Sequence, residues 1–245
     1  MKDDLTWTLT HWVPGIMLSD AWATLDRTQQ RTAGEQLGHA LHALHTWKPA
    51  SKVRAILAER TTLAERTTEP DLSDVIGADL NPLPVDRARR LVEPATHLEN
   101  VDQHSIGLLA DELERLRTID PLRDPNEGVV IHGDAHLDNV IWDGTRLVAL
   151  IDFEWARLGP PDLELQPLLA SDHAATLIRS IVDAYPGIAG HPRFVDRLWL
   201  YDLSATLRDL LVKAPFPEGD DLPPWHPKRR LAVVVTGPGY IEALL

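Results

Sequence analysis

The sequence predicts a mainly α-helical protein of the α+β class, with one β-hairpin inserted near its middle. Apolar residues recur at helical spacing in several segments on both sides of residues 129–152. Inside that stretch, two short apolar runs flank Asp143-Gly144, a pair that is a strong hairpin signal. With 245 residues, 44% of them hydrophobic, the chain can build a substantial core. We find no internal repeat.

Composition excludes several classes of function. The chain has no cysteine, so disulfides, thiolate metal sites and cysteine nucleophiles are all excluded. Its 24 basic and 37 acidic residues give a net charge of −13, which argues against a nucleic-acid partner and would suit a cationic substrate. No apolar run is long enough to span a bilayer, and the N-terminus lacks the basic stretch of a secretion signal. We therefore expect a cytoplasmic protein with no membrane partner.

The first half of the chain reads as a short strand followed by helices. A β-like run at 5–13 ends at Pro14-Gly15, and Ser19 or Asp20 can cap a helix that ends near residues 47–49. A second helix is predicted at 52–66, and a third at 106–116. Between these two helices, the stretch 69–86 is rich in Pro and Asp and reads as a connection.

The second half begins with the predicted β structure and returns to helices. Residues 129–131 form a short β-rich run, and the hairpin joins 140–142 to 146–152. Helices are predicted at 165–185, 192–212 and 226–245, with a proline-rich loop between the last two.

The hairpin should gather oxygen ligands at one place. It folds the chain back, which brings Asp152 toward Asp134 and Asn139. Carboxylate and amide oxygens without thiolates suit Mg²⁺, a hard cation that also takes phosphate oxygens. The same stretch leaves a second interpretation open, because the histidines of "HGDAH" together with Asp152 could ligate a transition metal in a hydrolase site.

Other clusters of chemically active residues have plainer interpretations. His39, His42 and His45 share a predicted helix and suggest a metal site, but we interpret them as ordinary helix residues. Most of the eight tryptophans are expected in the core. Trp155 and Trp225 are the exceptions, since both lie in predicted loops that could face a cleft.

The ordered motifs resemble a known family. His132-Gly133-Asp134 with Asn139, then Ile151-Asp152-Phe153-Glu154, then Gly159 and Asp162-Leu163, look like the catalytic core of aminoglycoside phosphotransferases and choline-kinase-like small-molecule kinases. The resemblance covers most of the chain from about residue 8 onward. It implies a protein-kinase-like C-terminal lobe carrying a catalytic β-hairpin, and a kinase that uses ATP and Mg²⁺ to phosphorylate a hydroxyl of a small molecule.

The resemblance also implies roles for individual residues. Asp134 would accept the proton of the substrate hydroxyl, while Asn139 and Asp152 would hold Mg²⁺. His132 would brace the loop against the Asp152 segment, with Asp162 as a hydrogen-bonding anchor and His45 buried. The remaining expectations place Trp12, Val13, Ile141 and Ile151 around the adenine ring. They place Glu154, Tyr201, Asp202, Asp209 and the Asp220-Asp221 loop near the acceptor.

The N-terminal lobe of such kinases is the largest departure from the pattern. Residues 1–18 resemble only its final strands and hinge, and residues 19–245 form the helical lobe. The phosphate-gripping lysine and glycine-rich loop have no counterpart in the sequence. A second copy, a partner chain or an upstream segment could supply them. The alternatives are a pseudokinase acting as a scaffold subunit of a biosynthetic complex, and a metal-dependent hydrolase.

Overall fold

The computed structural model describes residues 12–66, 82–99, 101–119, 128–212 and 222–245. The predicted strand at 5–13, most of the connection at 69–86 and Asp220-Asp221 lie outside them, as does most of the proline-rich loop. Within these ranges no helix combines the length and apolar character needed to cross a bilayer.

Helices dominate the described chain. The helices are α1 (Leu18–Trp22), α2 (Arg27–Thr46), α3 (Ser51–Arg66), α4 (Val85–Ala88), α5 (Val92–Thr96), α6 (Gln103–Leu116), α7 (Ala174–Ala184), α8 (Phe194–Val212), α9 (Pro227–Val234) and α10 (Gly239–Glu242). The strands are β1 (Ile16–Met17), β2 (Val129–Ile131), β3 (Val140–Trp142), β4 (Leu147–Leu150) and β5 (Arg157–Gly159). The predicted α+β class with a central hairpin is confirmed.

The start of α2 differs from the prediction. Neither Ser19 nor Asp20 caps it, because both lie inside the separate helix α1. The cap is Asp26, whose carboxylate accepts from the backbone N–H of Gln29, while the Gln29 side chain accepts from the Asp26 N–H. This reciprocal capping box satisfies two backbone donors that a helix start otherwise leaves unpaired.

The strands form two small antiparallel sheets. One sheet has the order β1-β3-β4, and β3 and β4 are the predicted hairpin. Its turn is held by Asp143, whose Oδ1 accepts from the backbone N–H groups of Thr145 and Arg146 at 3.0 Å each. The other sheet pairs β2 with β5, so the predicted strand at 129–131 exists but does not extend the hairpin.

A continuous core lies between the helices and the hairpin sheet. Helix α2 packs closely on α7 at Gly38. A Cβ at this position would lie only 2.9 Å from the Ile181 carbonyl oxygen, so the close approach requires glycine. Leu37 and Leu41 on α2 are fully buried, and each such leucine contributes about 1.5–3 kcal/mol. Helix α8, which packs against α6 and α9, runs through the centre. The strands and the loop after β2 therefore rest on a rigid helical base.

Two predicted helices are shorter than expected. The segment predicted at 165–185 begins as a 3₁₀ turn, Pro161–Leu165, and becomes helix only at α7. Pro167 lacks a backbone N–H, which disfavours a continuous helix there. The segment predicted at 226–245 divides into α9 and α10, separated by Gly237 in the left-handed region at φ 97°.

Candidate active site

The loop that follows β2, residues 132–139, is held in place from below by a buried carboxylate. Glu164 is fully buried, and its Oε1 accepts from the His132 N–H at 2.5 Å. Its Oε2 accepts from the Gly133 N–H at 3.0 Å. Two consecutive backbone donors are thus fixed by one side chain, which sets the direction in which the loop leaves the sheet.

Helix α2 and strand β5 complete this anchor. His45 Nε2 lies 3.3 Å from Glu164 Oε1, and its Nδ1 lies 3.2 Å from the Tyr185 hydroxyl. Burial lowers the pKa of Arg157 on β5 to about 10, and the negative charge of Glu164 opposes that shift. The predicted burial of His45 is confirmed, since it is 6% exposed, whereas His39 and His42 on the same helix are exposed.

Asp162 does not anchor this loop, contrary to the prediction. Its carboxylate forms an ion pair with Arg197 on α8 at 2.8 Å and accepts from the Tyr201 hydroxyl at 3.1 Å. Desolvation raises its pKa despite these partners. Asp162 therefore ties the 3₁₀ turn to α8, and Glu164, two residues later, holds the loop. The 3₁₀ turn points the two carboxylates at different partners.

His132 makes the contact predicted for it. Its Nε2 lies 2.8 Å from the Ile151 carbonyl oxygen, and its ring lies 4.5 Å from the Phe153 ring, centre to centre. The histidine is fully buried and joins the loop to the segment that carries Asp152. Gly133 has φ 81°, and a Cβ there would lie 2.7 Å from the Trp155 carbonyl oxygen, so this position requires glycine.

Asp134 is hydrogen-bonded on the loop and partly exposed. Asn139 Nδ2 donates to the Asp134 carbonyl oxygen at 2.8 Å and to Oδ2 at 3.2 Å. His136 Nε2 lies 3.3 Å from the same Oδ2. The hydrogen bond to Asp134 raises the pKa of His136 above 6.5, against the opposing effect of burial. Asp134 is therefore a partly exposed carboxylate that two neighbouring side chains orient, which is the geometry that a general base needs.

Asp152 has the only positive φ of a non-glycine residue in the described ranges. Its φ of 63° and ψ of 64° lie in the left-handed region, where strained residues often mark functional sites. The chain around it is fixed by the Ile151 N–H, which donates to the Asn139 carbonyl oxygen at 3.0 Å. This backbone hydrogen bond places Asn139 next to the residue that precedes Asp152, so the two predicted metal ligands lie on neighbouring segments.

Asn139 and Asp152 fit a hard cation. Because the Asn139 nitrogen donates to Asp134, its side-chain oxygen remains as an acceptor, and the Asp152 carboxylate is exposed. An amide oxygen and a carboxylate are donors that Mg²⁺ takes beside phosphate oxygens. A cluster of three or more His, Cys, Asp or Glu placed to share a metal does not occur among the residues that the structure describes.

The residues predicted around the adenine ring lie along the hairpin sheet. Ile141 is buried on β3, where it pairs with Met17 of β1, and Ile151 is half-buried just beyond β4. Val13 is half-buried, whereas Trp12 is 87% exposed. The sheet thus provides apolar side chains beside Asp152, and Trp12, four residues before β1, is exposed to solvent.

A cavity of about 270 Å³ opens beside Asp134, and its lining includes Asp202 and Asp209 of the residues predicted near an acceptor. Trp155 and Trp225 both line it, as do Asp202 and Asp209. Glu154 is exposed and lies outside this lining. The full lining comprises Gly133, Asp134, His136, Trp155, Gln166, Pro167, Ala170, Asp202, Ala205, Thr206, Arg208, Asp209, Trp225, Pro227 and Arg230. Helices α8 and α9 contribute seven of these fifteen residues, and loops and turns contribute the other eight.

Tyr201 was predicted to contact the acceptor, and this prediction is wrong. The residue is 0% exposed, and its hydroxyl is bonded to Asp162 and lies 3.3 Å from Arg197 Nη2. Successive helix residues point about 100° apart. Tyr201 therefore faces the core, while Asp202, the next residue on α8, faces the cavity.

Asp202 is bound into a buried network at the cavity wall. Arg230 on α9 pairs with its carboxylate, and the Tyr240 hydroxyl donates to the same oxygen at 2.5 Å. Desolvation raises the pKa of Asp202, with Arg230 and Tyr240 opposing the shift. These contacts join the C-terminal helices α9 and α10 to α8 at the cavity wall.

Sequence reasoning missed three residues of this site: Glu164, His136 as the partner of Asp134, and Arg230. For His136 a signal exists in "HGDAH", where it follows Asp134 by two positions within one loop. Glu164 and Arg230 carry no comparable signal, because their partners are distant in the sequence.

Comparison with known proteins places this geometry in context. Residues 2–196 match the sequence profile of the phosphotransferase enzyme family. The search of curated proteins gave no match.

Three solved structures have similar folds. The ADP-bound aminoglycoside phosphotransferase APH(2'')-Ib is 12% identical, with a TM-score of 0.53 over 91% of this chain and 69% of that one. The streptomycin-ATP complex of APH(2'')-IIa is 13% identical, with a TM-score of 0.52 over 94% of this chain and 68% of that one. An ethanolamine kinase from Plasmodium vivax is 13% identical, with a TM-score of 0.50 over 95% of this chain and 65% of that one.

Proposed function

The chain belongs to the phosphotransferase enzyme family, and from that premise we propose that it transfers the γ-phosphoryl group of ATP to a hydroxyl group of a small molecule, with Mg²⁺ bound. One observation carries the proposal. Asp134, held by Asn139 and His136, lies at the wall of a cavity lined by Trp155 and Asp202. A base beside a pocket for a small molecule is what phosphoryl transfer to an alcohol requires.

The reaction step uses Asp134 as the general base. The hydroxyl oxygen of the acceptor forms a bond to the γ-phosphorus of ATP, and the bond from that phosphorus to the β,γ-bridging oxygen breaks. The hydroxyl proton moves to the Asp134 carboxylate, and the products are a phosphate ester and ADP. Asn139 and His136 orient the carboxylate from two sides, so the base is positioned before the acceptor arrives.

Asn139 and Asp152 would hold Mg²⁺, which when bound offsets the charge of the phosphate oxygens. The described site is acidic on this side, since Asp134 and Asp152 both raise the pKa of His136. These carboxylates would repel a bare triphosphate. We expect nucleotide binding to depend on the cation for this reason.

We also propose that a second copy or a partner chain covers the hairpin sheet. Trp12, Ile16 and Phe153 are 87%, 55% and 42% exposed. These three residues lie on or next to the strands of the hairpin sheet, and large exposed apolar side chains favour association. The covering chain would supply the phosphate-gripping lysine and the glycine-rich loop that the family resemblance implies.

Calorimetry tests the proposed function. ATP is titrated into the full chain with and without MgCl₂, and ADP release is followed separately with candidate alcohols. Asp152→Asn should weaken the Mg²⁺-dependent part of ATP binding, because it removes the negative charge of this ligand. Asparagine is the right replacement because it tolerates the left-handed backbone, whereas alanine would add strain. Asp134→Asn should keep ATP binding and lose transfer.

Asp172→Asn is the matched control, because Asp172 is exposed and lies outside the cavity lining. It should bind ATP as the unchanged chain does. Mg²⁺-independent ATP binding, or equal effects of Asp152→Asn and Asp172→Asn, would contradict the assigned metal ligands. Absence of ATP binding by the chain, both alone at high protein concentration and with a candidate partner chain, would refute the kinase proposal.

A further inference from the structure

A second, larger cavity adjoins the cavity beside Asp134. This second cavity has a volume of about 450 Å³ and is lined in part by α1, the catalytic loop and the segment after the 3₁₀ turn. Four residues line both cavities: His136, Pro167, Ala170 and Trp225. The two cavities therefore adjoin along these side chains, and the second one lies next to an acceptor whose hydroxyl is at Asp134.

The charges in the first cavity are largely paired with one another. Asp202 is paired with Arg230, and Asp209 lies 3.6 Å from Arg208. Asp134, the remaining carboxylate among the lining residues, faces His136 at 3.3 Å. A carboxylate that already has a guanidinium partner gains little from a second cation, and the arginines repel one. The lining therefore does not favour a polycationic acceptor.

Half of the ten residues that line the second cavity have apolar side chains. Leu137, Pro167, Leu168, Ala170 and Trp225 contribute carbon surface. The titratable groups that face it are His136, Asp138 and His173, and the first two lie 3.4 Å apart. An apolar group entering this space would be removed from water without leaving an unpaired charge.

We propose that the acceptor is an alcohol without multiple positive charges, consisting of a hydroxylated ring joined to an apolar extension. The inference rests on the proposed function. The ring occupies the first cavity between Trp155 and Trp225, with one hydroxyl at Asp134, and the extension occupies the second cavity. Net charge alone suggested a cationic acceptor, but the protein's excess acidity is not concentrated on the described walls of this site.

Binding of model alcohols without nucleotide tests the inference. The probes are n-octyl β-D-glucoside below its micelle-forming concentration, methyl β-D-glucoside and kanamycin A, and the readout is calorimetry on the full chain. Octyl glucoside should bind at least about tenfold more tightly than methyl glucoside, because its chain can bury several methylene groups. Kanamycin should bind more weakly than octyl glucoside.

Two tryptophans form a matched pair of variants. Trp225 is 48% exposed at the junction of the cavities, and Trp47 is 49% exposed outside both. Trp225→Ala should weaken octyl glucoside binding at least about fivefold, since the indole supplies the shared apolar wall, and Trp47→Ala should leave it unchanged. Circular dichroism serves as the control that both variants fold.

A charge variant tests the paired walls directly. Arg208→Gln removes the guanidinium beside Asp209, so kanamycin binding should increase while octyl glucoside binding changes little. Tighter binding of kanamycin than of octyl glucoside by the unchanged chain would overturn the inference, as would failure of octyl glucoside to bind. Equal losses in Trp225→Ala and Trp47→Ala would also overturn it.

The two proposals fail separately. Acceptor binding is measured without ATP or Mg²⁺, so a chain that binds octyl glucoside but no nucleotide would refute the kinase proposal and leave the cavity assignment standing. A chain that binds Mg²⁺ and ATP but prefers kanamycin would do the reverse.

Discussion

Replacing Glu164 by glutamine tests whether one buried carboxylate positions the loop after β2, residues 132–139, which carries Asp134. In the structure its two oxygens accept from the backbone N–H groups of His132 and Gly133 at 2.5 and 3.0 Å. A glutamine keeps the shape but presents one oxygen and one NH₂ group. One of the two N–H donors must then face another donor and lose its partner.

The expected loss of stability follows from these contacts. A buried backbone donor left unpaired costs about 1–3 kcal/mol. Arg157 and His45 also lose a negative neighbour, and breaking a buried charge interaction adds to the cost. Together we expect a loss of about 3–5 kcal/mol, a large part of the roughly 5–15 kcal/mol that stabilises a typical domain. The melting temperature should fall by about 6–20 °C.

Urea unfolding followed by circular dichroism measures this loss, and phosphoryl transfer is measured below the variant's melting temperature. Transfer should fall at least about tenfold, because small displacements of a catalytic group are costly. Glu93→Gln is the control, since Glu93 is exposed, and should change stability by less than about 0.5 kcal/mol. If Glu164→Gln is as stable as Glu93→Gln, the anchoring role is refuted.

Three further predictions concern the loop and its surroundings. Gly133→Ala should reduce transfer and lower the unfolding midpoint in urea, because φ 81° and the close carbonyl leave no room for a Cβ; an unchanged midpoint would contradict this. The pKa of His136, followed by NMR, should lie above 6.5 and fall toward 6.5 in Asp134→Asn. The stability that this pair contributes is fully present below pH 6.5 and is lost as pH rises through the folded-state pKa, so a flat profile would count against the pair. Arg230→Met should destabilise the fold by about 3–5 kcal/mol, and more at pH 8 than at pH 5, because the buried Asp202 has a raised pKa and can protonate only at lower pH; equal losses at both pH values would argue against a buried charge.

Local chemistry made much of the architecture predictable. The Asp143-Gly144 turn is held by hydrogen bonds between residues two and three apart, so the hairpin could be predicted from a few letters. The apolar periodicity of α6 and α8 likewise indicated helices close to their observed bounds, because a helix buries one face at a fixed period. The contact of His132 with the Asp152 segment was predicted from the family resemblance, and the structure shows it at the Ile151 carbonyl oxygen.

The tertiary structure alone decided the partners of the buried charges. Asp162 and Glu164 are both acidic and two residues apart, and nothing local tells which one reaches the loop. That choice depends on the direction of a 3₁₀ turn and on the arrival of His45 and Arg197 from distant helices. The same holds for Tyr201 and Asp202, which one step of helix rotation separates into core and cavity. Short-range hydrogen bonds and the spacing of apolar residues depend on neighbours in the sequence, so they can be predicted from it. Ion pairs between distant residues form only once the chain has folded.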